Sequence, residues 1–152
     1  MTKRKKAERC LEREAFLNLL HLADELTGQL VELLRPSELS ATQYNVLRIL
    51  RGAGEEGMPC GMIGDRMITR EPDMTRLLDR LEKRALIRRA RQTDDRRVVK
   101  AFLTKEGAGI LQPLDEPVLE LHKQQLGGLG KQRLAALVEI LEEVRGGIES
   151  GQ

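Results

Sequence analysis

Apolar positions in this chain recur mostly at helical spacing, interrupted once by a short stretch of strand-like spacing. From about Glu8 to Leu34, the residues Leu11, Ala15, Leu19, Leu22, Leu26, Leu30 and Leu33 follow steps of three and four. That pattern predicts one long helix of about seven turns. Phe16, Leu20, Ala23, Val31 and Leu34 widen the stripe beyond a single face. A helix apolar on two sides needs two partners, which points to its own domain on one side and a second copy of the chain on the other. The alternative is a central helix in a monomeric bundle. Arg35-Pro36 should end it, because proline disfavours a helical conformation in the residue before it.

Ser40 and Gln43 have capping-box spacing and open a second helix, roughly Ala41 to Arg51, with Val46, Leu47 and Leu50 inward and Gly52, Gly54 and Gly57 ending it. A short third helix, about Gly61 to Met67, has Ile63 and Met67 as its apolar pair, and Ile68-Thr69-Arg70 then reads as the turn of a helix-turn-helix. In the next helix Met74, Leu77, Leu78 and Leu81 form one face, while Arg76, Arg80 and Lys83 cluster nearly opposite. The period then changes. Ile87 to Arg91 and Val98 to Leu103 read as two strands around the polar turn Gln92-Thr93-Asp94-Asp95-Arg96-Arg97, which predicts a hairpin with arginines at its tip.

Thr104 is placed to cap a helix from Lys105 to about Leu126, in which Pro113 and Pro117 predict a kink or break near Gln112. Gly127-Gly128-Leu129-Gly130 reads as a linker. A last helix, about Lys131 to Gly146, carries Leu134, Leu137, Val138, Leu141 and Val144 on one side. The fold class expected is mainly α with a small β-hairpin wing, in a single domain spanning 1–152.

Charge sharpens this picture. Between Arg66 and Lys100 there are 12 Lys or Arg against 6 Asp or Glu, a local net of +6 in a chain whose net is +2, so the remainder carries about −4. Positive charge is therefore concentrated on the amphipathic helix and the hairpin, which suits a polyanion with one wide and one narrow groove. A helix fits the major groove of B-DNA, and arginine at a hairpin tip fits the electronegative minor groove. Hydrophobic residues make up 40% of the chain and charged residues 33%, the profile of a soluble globular protein; aromatics at 2% leave the core to aliphatic side chains. The charged start, Met1-Thr2-Lys3-Arg4-Lys5-Lys6, precedes no apolar run long enough for a signal peptide or membrane span, so a cytoplasmic protein is expected. Two cysteines in different elements, Cys10 and Cys60, are expected to be free thiols.

The run from Leu39 to Gly107, with TRLLDRLEKRALI, DDRRVVKAFLT and KEG in order, resembles the winged helix-turn-helix core of MarR-type bacterial transcription regulators. The resemblance implies a DNA-binding core at 39–104 and dimerisation helices at 8–34 and 105–148. It further implies a homodimer acting on a pseudo-palindromic operator, as a repressor, with release by a small aromatic effector. One departure is Ala85, where such proteins usually carry glycine; a non-glycine residue disfavours a left-handed cap, so that helix end is expected to be built differently.

Candidate DNA-binding residues are Arg70 in the turn, Asp73, Thr75 and Arg76 for base edges, Arg80 and Lys83 for phosphates, and Asp95, Arg96 and Arg97 in the wing. The Asp-x-Arg pattern implies that Asp95 buttresses the wing while Arg97, or failing that Arg96, enters the minor groove. Asn18, His21 and Arg48 are the polar candidates for an effector site between the dimerisation helices and the winged domain. Two other function classes stand beside the regulator of this type. One is thiol-based redox sensing, in which Arg9, Arg13 and the lysine-rich tail activate Cys10; the sensing cysteine of the redox subgroup would instead fall near Phe16, and Tyr44 is the only tyrosine. The other is a winged-helix module that contacts protein, which would need an exposed apolar patch where Arg76, Arg80 and Lys83 stand. No phosphate loop or nucleophile elbow is present, and neither His21 nor His122 has a His or Cys three or four residues on; no cofactor, metal or enzymatic activity is expected.

Overall fold

The computed structural model describes residues 10–151. In order, the elements are α1 (Leu11–Leu34), α2 (Ala41–Ala53), β1 (Met58–Pro59), α3 (Cys60–Arg66), α4 (Met74–Lys83), β2 (Ile87–Arg91), β3 (Val99–Leu103), α5 (Lys105–Leu111), α6 (Asp115–Leu126) and α7 (Lys131–Ser150), with single 3₁₀ turns between several of them. The expected helical start at Glu8 lies outside the described residues. No described helix is long and apolar enough to cross a membrane.

Local chemistry accounts for most element ends. The Ser40 hydroxyl accepts from the Gln43 N–H at 3.1 Å while the Gln43 side chain accepts from the Ser40 N–H at 3.1 Å, a complete capping box for α2. Gly52 stays inside α2, and the stop falls two residues later, where Gly54 adopts a φ of 64°. The Thr104 hydroxyl caps α5 by accepting from the Gly107 N–H at 3.0 Å. Around Pro113 the chain takes a 3₁₀ turn at Gln112–Leu114, which splits the long helix at the expected place because proline lacks the N–H an α-helix needs there. The last helix runs to Ser150 rather than ending at Gly146, with the Ser150 hydroxyl donating to the Gly146 carbonyl at 2.8 Å.

The sheet is antiparallel in the order β1-β3-β2. Its hairpin matches the sequence pattern within one residue, but β1 is an addition that periodicity does not reveal. Two residues are too few for an alternating pattern, and Pro59 fits only because it sits on an edge, where one missing donor is tolerated. Met58 opposes Ala101 and Pro59 opposes Lys100. Gly57 enters this strand at a φ of 63°, and a Cβ there would lie 2.5 Å from the Phe102 ring, so glycine is required on both counts.

The core lies within the middle of the chain. Leu34, Val46, Leu47, Leu50, Ile63, Leu81, Ala101 and Leu111 are fully buried, joined by Leu77, Leu78, Leu86 and Ile87. α1 buries only its last residue and α7 buries none. α2 and α6 are tied by a two-pronged ion pair in which the Arg51 guanidinium donates to both Asp115 oxygens at 3.0 and 2.9 Å.

Candidate nucleic-acid interface

α4 is amphipathic in the way its sequence requires: Leu77, Leu78 and Leu81 are buried, while Thr75, Arg76, Arg80 and Lys83 are exposed on other faces. Its start is held by Asp73, whose carboxylate accepts from the Arg76 N–H at 3.0 Å and lies 3.6 Å from the Arg76 guanidinium. Asp73 is thus the cap of this helix, and it steers the first basic side chain on the outer face. The preceding turn is pinned from beneath by Asn45, a buried side chain on α2 whose oxygen accepts from the Ile68 N–H at 2.9 Å. Arg70 lies exposed in that turn. Sequence periodicity passes over Asn45, since a polar residue at an inward helical position reads as a flaw until its backbone partner is known.

The far end of α4 corrects one expectation. Ala85 takes the left-handed conformation at a φ of 56° despite its Cβ. The Leu86 N–H donates to the Leu81 carbonyl at 3.0 Å and the Ala85 N–H to that of Glu82 at 2.8 Å, the paired bonds of a Schellman cap that glycine usually closes. Tertiary bonds hold the residue there. The Thr104 hydroxyl donates to the Ala85 carbonyl at 2.6 Å and the Thr104 N–H to the Leu86 carbonyl at 3.2 Å, while Leu86 and Ile87 enter the core. Gly107 allows this close approach, since a Cβ there would stand 2.2 Å from the Leu86 carbonyl oxygen. The Arg84 guanidinium also donates to the carbonyls of Glu38 and Ser37, at 2.6 and 3.2 Å, tying α4 to the chain before α2.

In the wing, the Asp95 carboxylate accepts from the Arg97 N–H at 3.0 Å and from its guanidinium at 3.4 Å. The turn closes with the Val98 N–H donating to the Asp95 carbonyl and the Gln92 N–H to that of Val98, both at 3.0 Å. Arg97 is 93% exposed and Arg96 is exposed beside it. At the wing base the Arg88 guanidinium stacks 4.0 Å from the Phe102 ring.

Sequence reasoning missed Arg89, because one of three arginines in a five-residue strand carries no signal of its own. Its side chain, 24% exposed, bridges Asp79 and Glu82 of α4. Glu82 receives the Arg89 backbone N–H at 2.8 Å on one oxygen and the guanidinium at 2.7 and 3.0 Å on the other. The Arg89 guanidinium holds the Glu82 carboxyl below the usual carboxylate range, and Glu82 in turn raises the Arg89 pKa.

A cavity of about 170 Å³ lies between α1, α2, the turn before α4, and α6, with Thr27, Leu30, Tyr44, Arg48, Ile68 and His122 on its walls. Arg48 is the one effector candidate on that lining. Asn18 and His21 sit on exposed positions of α1 one to three turns before Thr27 and do not reach it, whereas Tyr44 and His122 do. Burial pushes the Tyr44 hydroxyl pKa up, so the ring presents a neutral phenol. The exposed Cys10 thiol donates to the Glu12 carboxylate at 3.3 Å, and burial pushes the Cys60 thiol up. Arg9 and the lysine-rich tail invoked for Cys10 lie outside the described residues.

A MarR family profile matches residues 39–99 of this chain. The crystal structure of a MarR transcription factor from Planctomyces limnophilus superimposes with a TM-score of 0.68 at 41% identity, covering 89% of this chain and 98% of that one. The chain belongs to the MarR family. An HTH-type transcriptional regulator, TtmR of Methylorubrum extorquens, is 41% identical over 83 residues; that match takes in 55% of this chain but only 42% of TtmR. A cysteine-to-serine variant of E. coli MarR, solved in complex with operator DNA, is 27% identical with a TM-score of 0.77, covering 88% of this chain and 95% of that one. This MarR-family chain is accordingly a winged helix-turn-helix protein of a family of transcription regulators, not of enzymes.

Proposed function

We propose that this MarR-family chain is a sequence-specific regulator that binds double-stranded DNA as a homodimer and represses from a pseudo-palindromic operator. The observation that carries the reading is the outer face of α4. There Thr75, Arg76, Arg80 and Lys83 are exposed on a helix whose two ends are tightly capped, and none of the exposed large apolar side chains lies on it. That composition favours a polyanion over a protein partner. Thr75 and Arg76, in the first turn, are assigned to base edges, and Arg70, Arg80 and Lys83 to phosphates. Asp73 serves by steering Arg76, and Asp95 by steering Arg97 toward the minor groove, with Arg96 next to it. The complex of E. coli MarR with operator DNA supports the assignment by family likeness.

Dimerisation is supported by the apolar surface left over. Leu11, Phe16, Leu20 and Val31 on α1 and Val138, Ile140, Leu141, Val144 and Ile148 on α7 are all exposed, with Phe16 at 60% and Ile148 at 66%. Among the described residues nothing covers them, and a two-fold pairing of the terminal helices would. Two recognition helices would then meet successive major grooves roughly 34 Å apart. An operator overlapping a promoter would then be closed to polymerase, which is the basis of the repressor reading. A small aromatic acid is the effector that suits the α1–α2–α6 cavity, with the Arg48 cation for its carboxylate and Tyr44 and Leu30 for its ring.

Selection of bound DNA from a random pool, followed by salt-dependent gel shifts, tests the reading. A pseudo-palindrome bound by a species of twice the chain mass is the expected result. Enrichment of no sequence, or equal affinity for a single half-site, would overturn it.

A further inference from the structure

The two carboxylates that meet Arg89 stand where a DNA-binding helix can least afford them. At about 100° per residue, Asp79 and Glu82 lie on the flank of α4, between its buried apolar stripe and its basic outer face. A helix seated in the major groove has phosphate walls along both flanks, so bare acids there would repel the ligand. Arg89 reaches them from the middle of β2, not from α4, and so joins the two elements expected to enter the two grooves.

The bonding is more specific than charge neutralisation requires. Glu82 holds both the backbone N–H and the guanidinium of Arg89, which fixes the height and rotation of the strand against the helix. Asp79, one turn earlier, accepts from Nη2 of the same guanidinium, the nitrogen that also donates to Glu82. A single attachment would leave a hinge, whereas two attachments a turn apart set an angle. Arg89 also pairs across the sheet with Ala101, which is fully buried, so any tilt at this point carries β3 and the hairpin tip with it. From Arg89 to the tip is about five or six residues, or about 18 Å at ~3.3 Å per residue. A tilt of about 10° would therefore displace the wing arginines by about 3 Å, the full reach of a hydrogen bond.

We propose that Arg89 is a positioning residue that locks the wing to the flank of the recognition helix, so that helix and wing engage DNA as one rigid unit. The proposal rests on the DNA-binding reading above. It differs from a purely stabilising ion-pair cluster in one measurable respect, the energetic coupling between wing and helix contacts.

The test is a set of double-mutant cycles on the selected operator at fixed salt. Arg97→Ala and Arg76→Ala are each measured in the unaltered protein and in the triple variant Asp79→Asn/Glu82→Gln/Arg89→Gln, which removes the clamp without stranding a charge. The expected result is that the triple variant binds about tenfold more weakly and that the Arg97→Ala loss shrinks to less than twofold in it, while the Arg76→Ala loss is unchanged. An Arg97→Ala loss of equal size in both backgrounds would overturn the proposal. Should the triple variant fail to fold by circular dichroism, Arg89→Lys takes its place: it keeps the charge but not the planar Nε and Nη2 donors that reach both carboxylates. There the Arg97→Ala loss should fall to an intermediate value, and a loss equal to that in the unaltered protein would again overturn the clamp. If the unaltered protein enriches no DNA, the DNA-binding reading itself fails, an outcome distinct from additive losses in a protein that does bind.

Discussion

Replacing Ala85 with glycine should stabilise this protein, and the size of the effect follows from its backbone. Ala85 has a φ of 56° at the end of α4, in the left-handed region where a Cβ crowds the following carbonyl. Such a residue carries roughly 1–2 kcal/mol of strain. Glycine removes that strain but brings a more flexible unfolded chain, which offsets roughly 0.5–1 kcal/mol. Ala85 is exposed, so deleting its Cβ sacrifices little buried area, and the bonds that define the cap come from backbone atoms and from Thr104, all of which glycine retains. The net gain should be about 0.5–1 kcal/mol, which for a chain of this length is a rise in Tm of about 1–4 °C. Urea denaturation at one fixed protein concentration is the assay, with an increased midpoint and an unchanged slope expected for Ala85→Gly. Ala85→Val, which adds β-branching at the same φ, should move the midpoint the other way. A glycine variant no more stable than the unaltered protein would refute the reasoning, because the left-handed cap would then carry no strain to relieve.

Arg76→Ala should weaken operator binding by roughly 1–3 kcal/mol and relax base preference, whereas Arg80→Ala should weaken specific and non-specific DNA alike and reduce the salt slope by about one; gel shifts across a salt series show which holds. Asp95→Ala separates two opposed effects. Deleting a carboxylate about 10 Å from a phosphate should tighten binding by about 0.4 kcal/mol on charge alone, while loss of the Asp95–Arg97 contacts should weaken it by more; weaker binding at fixed salt is expected, and tighter binding would remove the buttress. Stability should also fall in acid through Glu82. Its pKa is depressed by Arg89, so its contribution is complete above the ordinary carboxylate pKa and disappears as pH drops through the lower folded value; Glu82→Gln should flatten that part of the stability curve measured by urea midpoints from pH 7 to 3.

Which features were legible in the sequence follows from how far each cause reaches along the chain. The Ser40–Gln43 box, the Thr104 cap, the break at Gln112–Leu114 and the Leu77, Leu78, Leu81 stripe all arise from interactions within about four residues, the range over which capping, proline geometry and helical periodicity act. The hairpin at Ile87–Arg91 and Val99–Leu103 was equally readable, since a polar turn between two short strand-like runs sets its own register. Four features needed the folded chain. β1 exists because β3 offers it an edge distant in sequence, Ala101 for Met58 and Lys100 for Pro59. Ala85 is left-handed because Thr104 holds the Ala85 and Leu86 carbonyls, a tertiary restraint that outweighs a local preference. The cavity recruits Tyr44 and His122 and leaves Asn18 and His21 outside, because the crossing of α1, α2 and α6, not residue spacing, decides which side chains converge. Arg89 stands out from its arginine neighbours only once β2 packs beside α4 and Asp79 and Glu82 come within reach: local rules place a charge on an element, and only packing decides which charge it meets.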